Sequence, residues 1–186
     1  MDYSTMCEPV KSWDEYFYEL CKTVGRHSKC LSRQIGAVLV RDKSVVSTGY
    51  NGPPRSVPTC DKRWYVDGLM MSEFAQKFGT LGGRHHLVEN KCPRQVLQYK
   101  SGQGLEWCVA GHAERNSLIN AARLGISTKG TTLFMDCGVP CSPCLVEIIN
   151  AGVDEIVVTK VEYYDVSAEY LLKNSTLKCR TYDFLK

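Results

Sequence analysis

Apolar positions recur at helical spacing from Trp13 to Val24, through Phe17, Leu20 and Cys21, which predicts an amphipathic first helix. Ser12 and Glu15 give its start the S-x-x-E form of a capping box. The pattern then changes. Ile35 to Val40 is a continuous apolar run, the mark of a strand buried on both faces, and Asp42-Lys43-Ser44 is a short turn. Val45 to Thr48 predicts a second strand, paired antiparallel to the first as a hairpin.

Regular patterning resumes near Gly111. His112 to Leu124 predicts a helix with Leu118, Ile119 and Ala122 facing inward, stopped by Gly125. Thr131 to Asp136 predicts a strand. Ser142 to Ala151 follows as a helix with Leu145, Ile148 and Ile149 inside, ended by Gly152. Glu155 to Lys160 is a strand, Ser167 to Asn174 a helix, and Leu177 to Tyr182 a last strand. The order α-β-β-α-β-α-β-α-β predicts the α/β class, a mixed five-stranded sheet with helices on both faces.

Residues 1–186 are expected to form a single domain interrupted by a long insertion at about 52–110. Within it Gly, Pro, Cys and His are scattered, and only Asp67 to Phe78 predicts a helix. So long a segment without a core of its own serves a function or needs a staple.

Composition narrows the function. A hydrophobic share of 44% with 23% charged residues is ordinary for a globular chain. A net charge of +3 with no basic run argues against a nucleic-acid binder, yet leaves a small anionic substrate open. The N-terminal stretch carries acidic residues and no apolar leader core, and no segment reaches the roughly 20 apolar residues of a membrane span. A cytoplasmic protein with no membrane partner is the expectation. Ten cysteines then point to metal ligation plus buried thiols rather than to a disulfide framework.

Two motifs supply the metal chemistry. His112-Ala113-Glu114 opens one predicted helix and Pro140-Cys141-Ser142-Pro143-Cys144 opens the next. Cys141 and Cys144 are three positions apart, near one helical turn, so both sulfurs can face one point. A helix N-terminus favours their thiolates, and Pro143 suits a first turn that needs no N–H. His112, Cys141 and Cys144 make three zinc ligands, and three leave a tetrahedral corner for water, whose pKa zinc lowers towards ~7. Glu114, at another angle on its helix, reaches that water as a proton carrier without being a ligand. The rival reading of these residues is a structural zinc beside a solvated helix charge.

H-x-E followed by P-C-x-x-C resembles the signature of zinc nucleobase deaminases. The resemblance sharpens in Ser28-Lys29-Cys30-Leu31-Ser32-Arg33-Gln34-Ile35-Gly36-Ala37-Val38 and in Ser47-Thr48-Gly49-Tyr50-Asn51-Gly52-Pro53-Pro54. Both are similar to deoxycytidylate deaminases of the phage and bacterial type, within the zinc-dependent cytidine deaminase superfamily. The likeness runs from about Trp13 to Tyr164. It implies a cytidine-deaminase-like three-layer α/β/α fold and hydrolysis of dCMP to dUMP and ammonia by a zinc-bound hydroxide, supplying dUMP for thymidylate synthesis. It also implies a homo-oligomer, often a hexamer, under allosteric control by dCTP and dTTP, with Mg2+ accompanying a nucleotide effector. For a viral chain the location becomes the host cytoplasm.

The same resemblance assigns further residues. Asn51 is implied as a contact to the nucleoside sugar, although Asn-Gly is also a plain turn former. Arg33 is the first choice for the phosphate, ahead of Lys29, Arg26 and Arg115. Tyr163 matches a tyrosine near the substrate, with Tyr164 as its substitute. Cys30, Cys60, Cys92 and Cys108 fall where some phage members hold a second, structural zinc, with His85 or His86 as stand-ins. Cys7, Cys21, Cys137 and Cys179 read as small apolar fillers. Two positions depart from the family pattern: Ser117 stands where alanine is commoner, and Ser56 where many members have glycine, in the loop associated with effectors. The rival functions are a deaminase of cytidine, of the riboflavin-pathway pyrimidine or of single-stranded nucleic acid, and a non-catalytic zinc-stapled assembly module.

Overall fold

The computed structural model describes residues 10–100 and 102–184. The first helix forms as α1 (Trp13–Gly25), and the Ser12 hydroxyl accepts from the Glu15 amide at 3.1 Å, as its pattern predicts. Phe17 and Cys21 are its buried apolar side chains, with Leu20 and Val24 half-buried beside them. Trp13 departs from the expectation. It is 50% exposed, stacked on Phe17 at 5.7 Å with the Lys43 ammonium over its ring.

β1 (Gly36–Arg41) and β2 (Ser44–Tyr50) pair antiparallel across a two-residue turn, Asp42 and Lys43, both left-handed at φ 51° and 60°. Two such residues match the twist of the flanking strands. The insertion carries more structure than its sequence suggests: α2 (Cys60–Val66), α3 (Gly68–Phe78) and α4 (Pro93–Val96), with short 3-10 turns at His85–Leu87 and Leu105–Trp107. It also has the core it was expected to lack. Trp64, Met70, Leu81 and Val88 are buried together, with Phe74, Val96 and Trp107 against them. These residues are spread over short helices and turns, so no period betrays them.

α5 (Ala113–Arg123), β3 (Thr132–Met135), α6 (Ser142–Asn150), β4 (Glu155–Val158), α7 (Val166–Lys173) and β5 (Lys178–Thr181) complete the chain. The five strands form one sheet in the order β2-β1-β3-β4-β5. β1 runs antiparallel to β2 and β3, while β3, β4 and β5 are parallel. Alternate residues face opposite layers. Ala37, Leu39, Leu133, Met135, Ile156 and Val158 pack under α5, α6 and α7, whereas Val38, Val40, Phe134 and Val157 pack on α1. The mixed three-layer α/β/α expectation is met. No helix among the described residues is long and apolar enough to cross a membrane.

The inward face of α5 differs from the one predicted. Leu118 is buried, but Ile119 is 49% exposed and Ala122 is exposed too. Ala113, Ser117 and Ala121, four residues apart, take that face instead. The reason is proximity: a Cβ on Gly49 of β2 would fall 2.3 Å from both the Ala113 carbonyl oxygen and the Ser117 amide nitrogen. Only small residues fit where backbone meets backbone. Gly36 plays the same part against α1, where a Cβ would lie 1.9 Å from the Cys21 carbonyl oxygen. Cys7 and the reading of residues 1–9 lie outside the described residues; the nine described cysteines are free thiols. Cys21, Cys137 and Cys179 pack against the two cores as expected.

Candidate metal centre

One edge of the sheet gathers the carboxyl ends of β2, β3 and β4 with the start of β1. α5 and α6 both begin there. His112 is the N-cap residue of α5 and Cys141 that of α6, and neither makes a side-chain capping hydrogen bond. Their donor atoms turn to each other instead. The His112 Nδ1 lies 3.5 Å from the Cys141 sulfur and 3.3 Å from the Cys144 sulfur, and the two sulfurs are 3.5 Å apart. Zinc bonds of about 2.3 Å to sulfur and 2.0–2.1 Å to nitrogen, at tetrahedral angles, separate donor atoms by about 3.6–3.8 Å. The three donors therefore fit zinc.

Glu114 completes the cluster. Its Oε1 is 3.7 Å from His112 Nδ1, and the four donor atoms lie within 4.8 Å of one another. Glu114 is only 4% exposed, whereas the His112 side chain is half exposed, so the centre opens outward past the imidazole. Burial pushes the Glu114 carboxyl up, but the neighbouring His112 ring and a backbone amide outweigh it and leave the group below its ordinary value. The thiols behave as one unit. A hydrogen bond from Cys144 holds Cys141 down at about 5 against its burial, while Cys144, carrying the proton, is pushed up. His112 rises to about 10, mainly through its hydrogen bond to Cys141.

Side chains bolt this end of α5 to β2. From β2 the Ser47 hydroxyl donates to the Ser117 carbonyl at 2.8 Å, and within α5 the Ser117 hydroxyl donates to the Glu114 carbonyl at 2.7 Å. Asn116 donates to Tyr50 O at 2.7 Å and Asn120 to Thr48 O at 2.8 Å. Gly52 and Gly111 exchange backbone hydrogen bonds of 3.0 and 2.8 Å, tying the loop after β2 to the residue before His112. None of these bolts was read from the sequence, although Ser117 stood out as a departure.

The remaining predicted residues spread out from this point. Asn51 is buried just beyond β2, where its Oδ1 accepts from the Ile35 amide at 2.9 Å and its Nδ2 donates to Arg33 O at 2.8 Å. Arg33 itself is exposed, close enough to Cys137 that its charge offsets part of the rise burial imposes on that thiol. Arg26 and Lys29 are exposed, while Arg115 is engaged by Glu147 at 2.6–3.0 Å. Tyr163 and Tyr164 are exposed beyond β4, and a side chain on Gly102 would lie 3.9 Å from the Tyr164 hydroxyl, so the end of the insertion reaches this segment.

Cys60 opens α2, Cys92 N-caps α4, Cys108 follows the 3-10 turn, and Cys30 lies between α1 and β1. Burial pushes the Cys60 thiol up to about 11, and Cys92, Cys30 and Cys108 all add to the rise. Their sulfurs are not drawn together as tightly as the first centre: among the described residues, His112, Glu114, Cys141 and Cys144 are the group within metal-binding distance. His85 stacks on Tyr65 at 4.8 Å, and His86 is exposed.

Fold and donor set together define a three-layer α/β/α protein with a candidate His-Cys-Cys metal site at one sheet edge. The model of the cytidine and deoxycytidylate deaminase zinc-binding region matches residues 11–160, and the chain belongs to that family. The deoxycytidylate deaminase of Mycobacterium phage D29 is 30% identical over 155 residues, covering 80% of this chain and 94% of that one. That of Schizosaccharomyces pombe is 30% identical over 171 residues, covering 92% of this chain. The chain spans less than half the length of the two yeast relatives, 44% in that case and 46% for Saccharomyces cerevisiae. The dCMP deaminase of cyanophage S-TIM5, solved with dCMP and dUMP, shares the fold at a TM-score of 0.58 and 20% identity, covering 90% of this chain and 94% of that one.

Proposed function

We propose that this chain hydrolyses dCMP to dUMP and ammonia. The observation that carries the proposal is the juxtaposition of three zinc donors with a buried carboxylate, Glu114, that the donor set does not need. His112, Cys141 and Cys144 would hold a zinc ion, which would supply a water acidified towards a pKa of about 7. Glu114 takes one proton from the attacking water on a carboxylate oxygen and hands it to the pyrimidine ring nitrogen as the water oxygen bonds to C4. It then takes the second proton from the new C4 hydroxyl and gives it to the amine, which leaves as ammonia as the C4–N bond breaks and the carbonyl forms. Its burial keeps bulk water from competing for the proton.

Binding falls to the surrounding loops. Asn51, fixed by the Ile35 amide and the Arg33 carbonyl, keeps one Nδ2 hydrogen and one Oδ1 lone pair for the sugar. Arg33, exposed on the same segment, meets the phosphate, and Tyr163 lines the far side. Cys30, Cys60, Cys92 and Cys108 hold a second zinc that staples the insertion, a reading supported by the place of Cys60 and Cys92 at the starts of α2 and α4 and of Cys108 before His112. Assembly as a hexamer, with dCTP and dTTP as effectors and Mg2+ beside them, completes the reading.

The test is ammonia release from dCMP, deoxycytidine and a cytosine oligonucleotide, measured side by side with zinc content. dCMP is expected to exceed deoxycytidine in kcat/KM by about tenfold or more, the worth of one charge-assisted hydrogen bond. Equal turnover of deoxycytidine removes the phosphate role of Arg33, and release from the oligonucleotide alone overturns the substrate. Two zinc ions per chain are expected, and one alone removes the second site.

A further inference from the structure

α6 presents a problem of its own. The residue at a helix N-cap normally satisfies a first-turn amide with its side chain. In α6 that residue is Cys141, whose sulfur belongs to the metal centre and makes no capping hydrogen bond. Pro143 removes one donor from the first turn, and the Ser142 and Cys144 amides remain. A carboxylate from another element accepts the Ser142 amide.

That carboxylate is Asp165, N-cap of α7. Its Oδ1 accepts from the Ala168 amide at 2.8 Å, which caps its own helix. Its Oδ2 accepts from the Ser142 amide at 3.3 Å, and the Ser142 hydroxyl donates to Oδ1 in a short contact. The same hydrogen bonds hold the Asp165 carboxyl below its ordinary range. One side chain thus closes two helix starts, its own and the one whose cap has been given to the metal. It also joins α6 to the Tyr163-Tyr164 segment immediately before it.

We infer that Asp165 is a positioning residue for the metal centre, holding the first turn of α6 so that Cys141 and Cys144 meet His112 at zinc spacing. It touches neither metal nor substrate. Its negative charge repels the thiolates, so its contribution is geometric. This inference rests on the zinc reading of His112, Cys141 and Cys144, and zinc retention tests it apart from any substrate.

The experiment compares Asp165→Ser, Ser142→Ala and the natural protein. A serine at 165 keeps an N-cap acceptor for Ala168 but is too short for Ser142, so α7 stays closed while α6 opens. Zinc affinity is read by chelator competition, with Cys141→Ser marking which equivalent belongs to this centre. The thiolate-to-cobalt charge-transfer band of the cobalt protein reports ligand geometry. Asp165→Ser is expected to bind this zinc at least about tenfold more weakly, the lower end for residues that orient ligands, with an altered cobalt band, and kcat falls more than KM rises. Ser142→Ala, which keeps the amide contact, is expected to lose severalfold and carries the test if Asp165→Ser does not fold. Natural zinc affinity and an unchanged cobalt band in the folded variants overturn the inference. If the natural protein holds zinc but releases no ammonia from dCMP, the proposed activity fails, and the affinities alone still decide the role of Asp165.

Discussion

Gly49 of β2 lies directly against the Ser117 amide of α5, so close that a Cβ would stand 2.3 Å from that nitrogen. This contact sets the height of α5 above the sheet and, through Ser117, the place of the Glu114 carbonyl. Gly49→Ala is expected to destabilise the fold by about 1–3 kcal/mol, because the new atom meets backbone rather than a side chain that can turn away. Urea denaturation checks the stability. Turnover is expected to fall as well, since the wedge acts on the first two turns of the helix that carries Glu114.

The insertion depends on a different carboxylate. Asp67 caps α3 by accepting from the Met70 amide at 3.0 Å and takes two hydrogen bonds from the nearly buried Arg63, at 3.0 and 2.6 Å. Asp67→Ala removes the cap and strands the guanidinium, and is expected to cost about 2–4 kcal/mol. Burial pushes the Asp67 carboxyl up, but the amides and Arg63 bring it below its ordinary 3.8. The unfolded chain therefore takes the proton first. The stability from Asp67 is full above about pH 4 and is lost as pH falls through the folded value. The gap between natural protein and variant in denaturation midpoint is expected to narrow in that acid range, not at alkaline pH.

Ser56 adopts a left-handed backbone at φ 67°, a conformation that costs a non-glycine residue about 1–2 kcal/mol. Its resemblance-based mismatch with glycine thus has a backbone meaning. Part of that cost returns through the unfolded-state entropy of glycine, so Ser56→Gly is expected to stabilise by up to about 1 kcal/mol. A thermal midpoint raised by about 2–4 °C checks it.

The elements with strong caps or alternation were legible in the chain: Ser12 before α1, the apolar run of β1, and Gly125 and Gly152 after α5 and α6. The clustering of His112, Glu114, Cys141 and Cys144 was legible because these residues sit in two short motifs. What escaped was set by packing between distant segments. Ile119 and Ala122 have the right apolar character for an inward face, but the closeness of Gly49 gives that face to Ala113, Ser117 and Ala121. The core around Trp64 joins short elements from α2 to the 3-10 turn at Leu105–Trp107, so no local window contains it. Asp165 lies two residues before the predicted helix start at Ser167, and its hold on Ser142, 23 residues earlier, exists only in three dimensions.

The proposed activity requires Glu114 to carry protons beside the metal without being one of its ligands. Glu114→Gln, purified with its metal content measured and assayed with dCMP, separates the two roles. A folded protein with the natural amount of zinc and turnover reduced by about 10²–10⁴-fold is expected. Turnover close to that of the natural protein, or loss of the zinc held at His112, Cys141 and Cys144, would contradict that requirement.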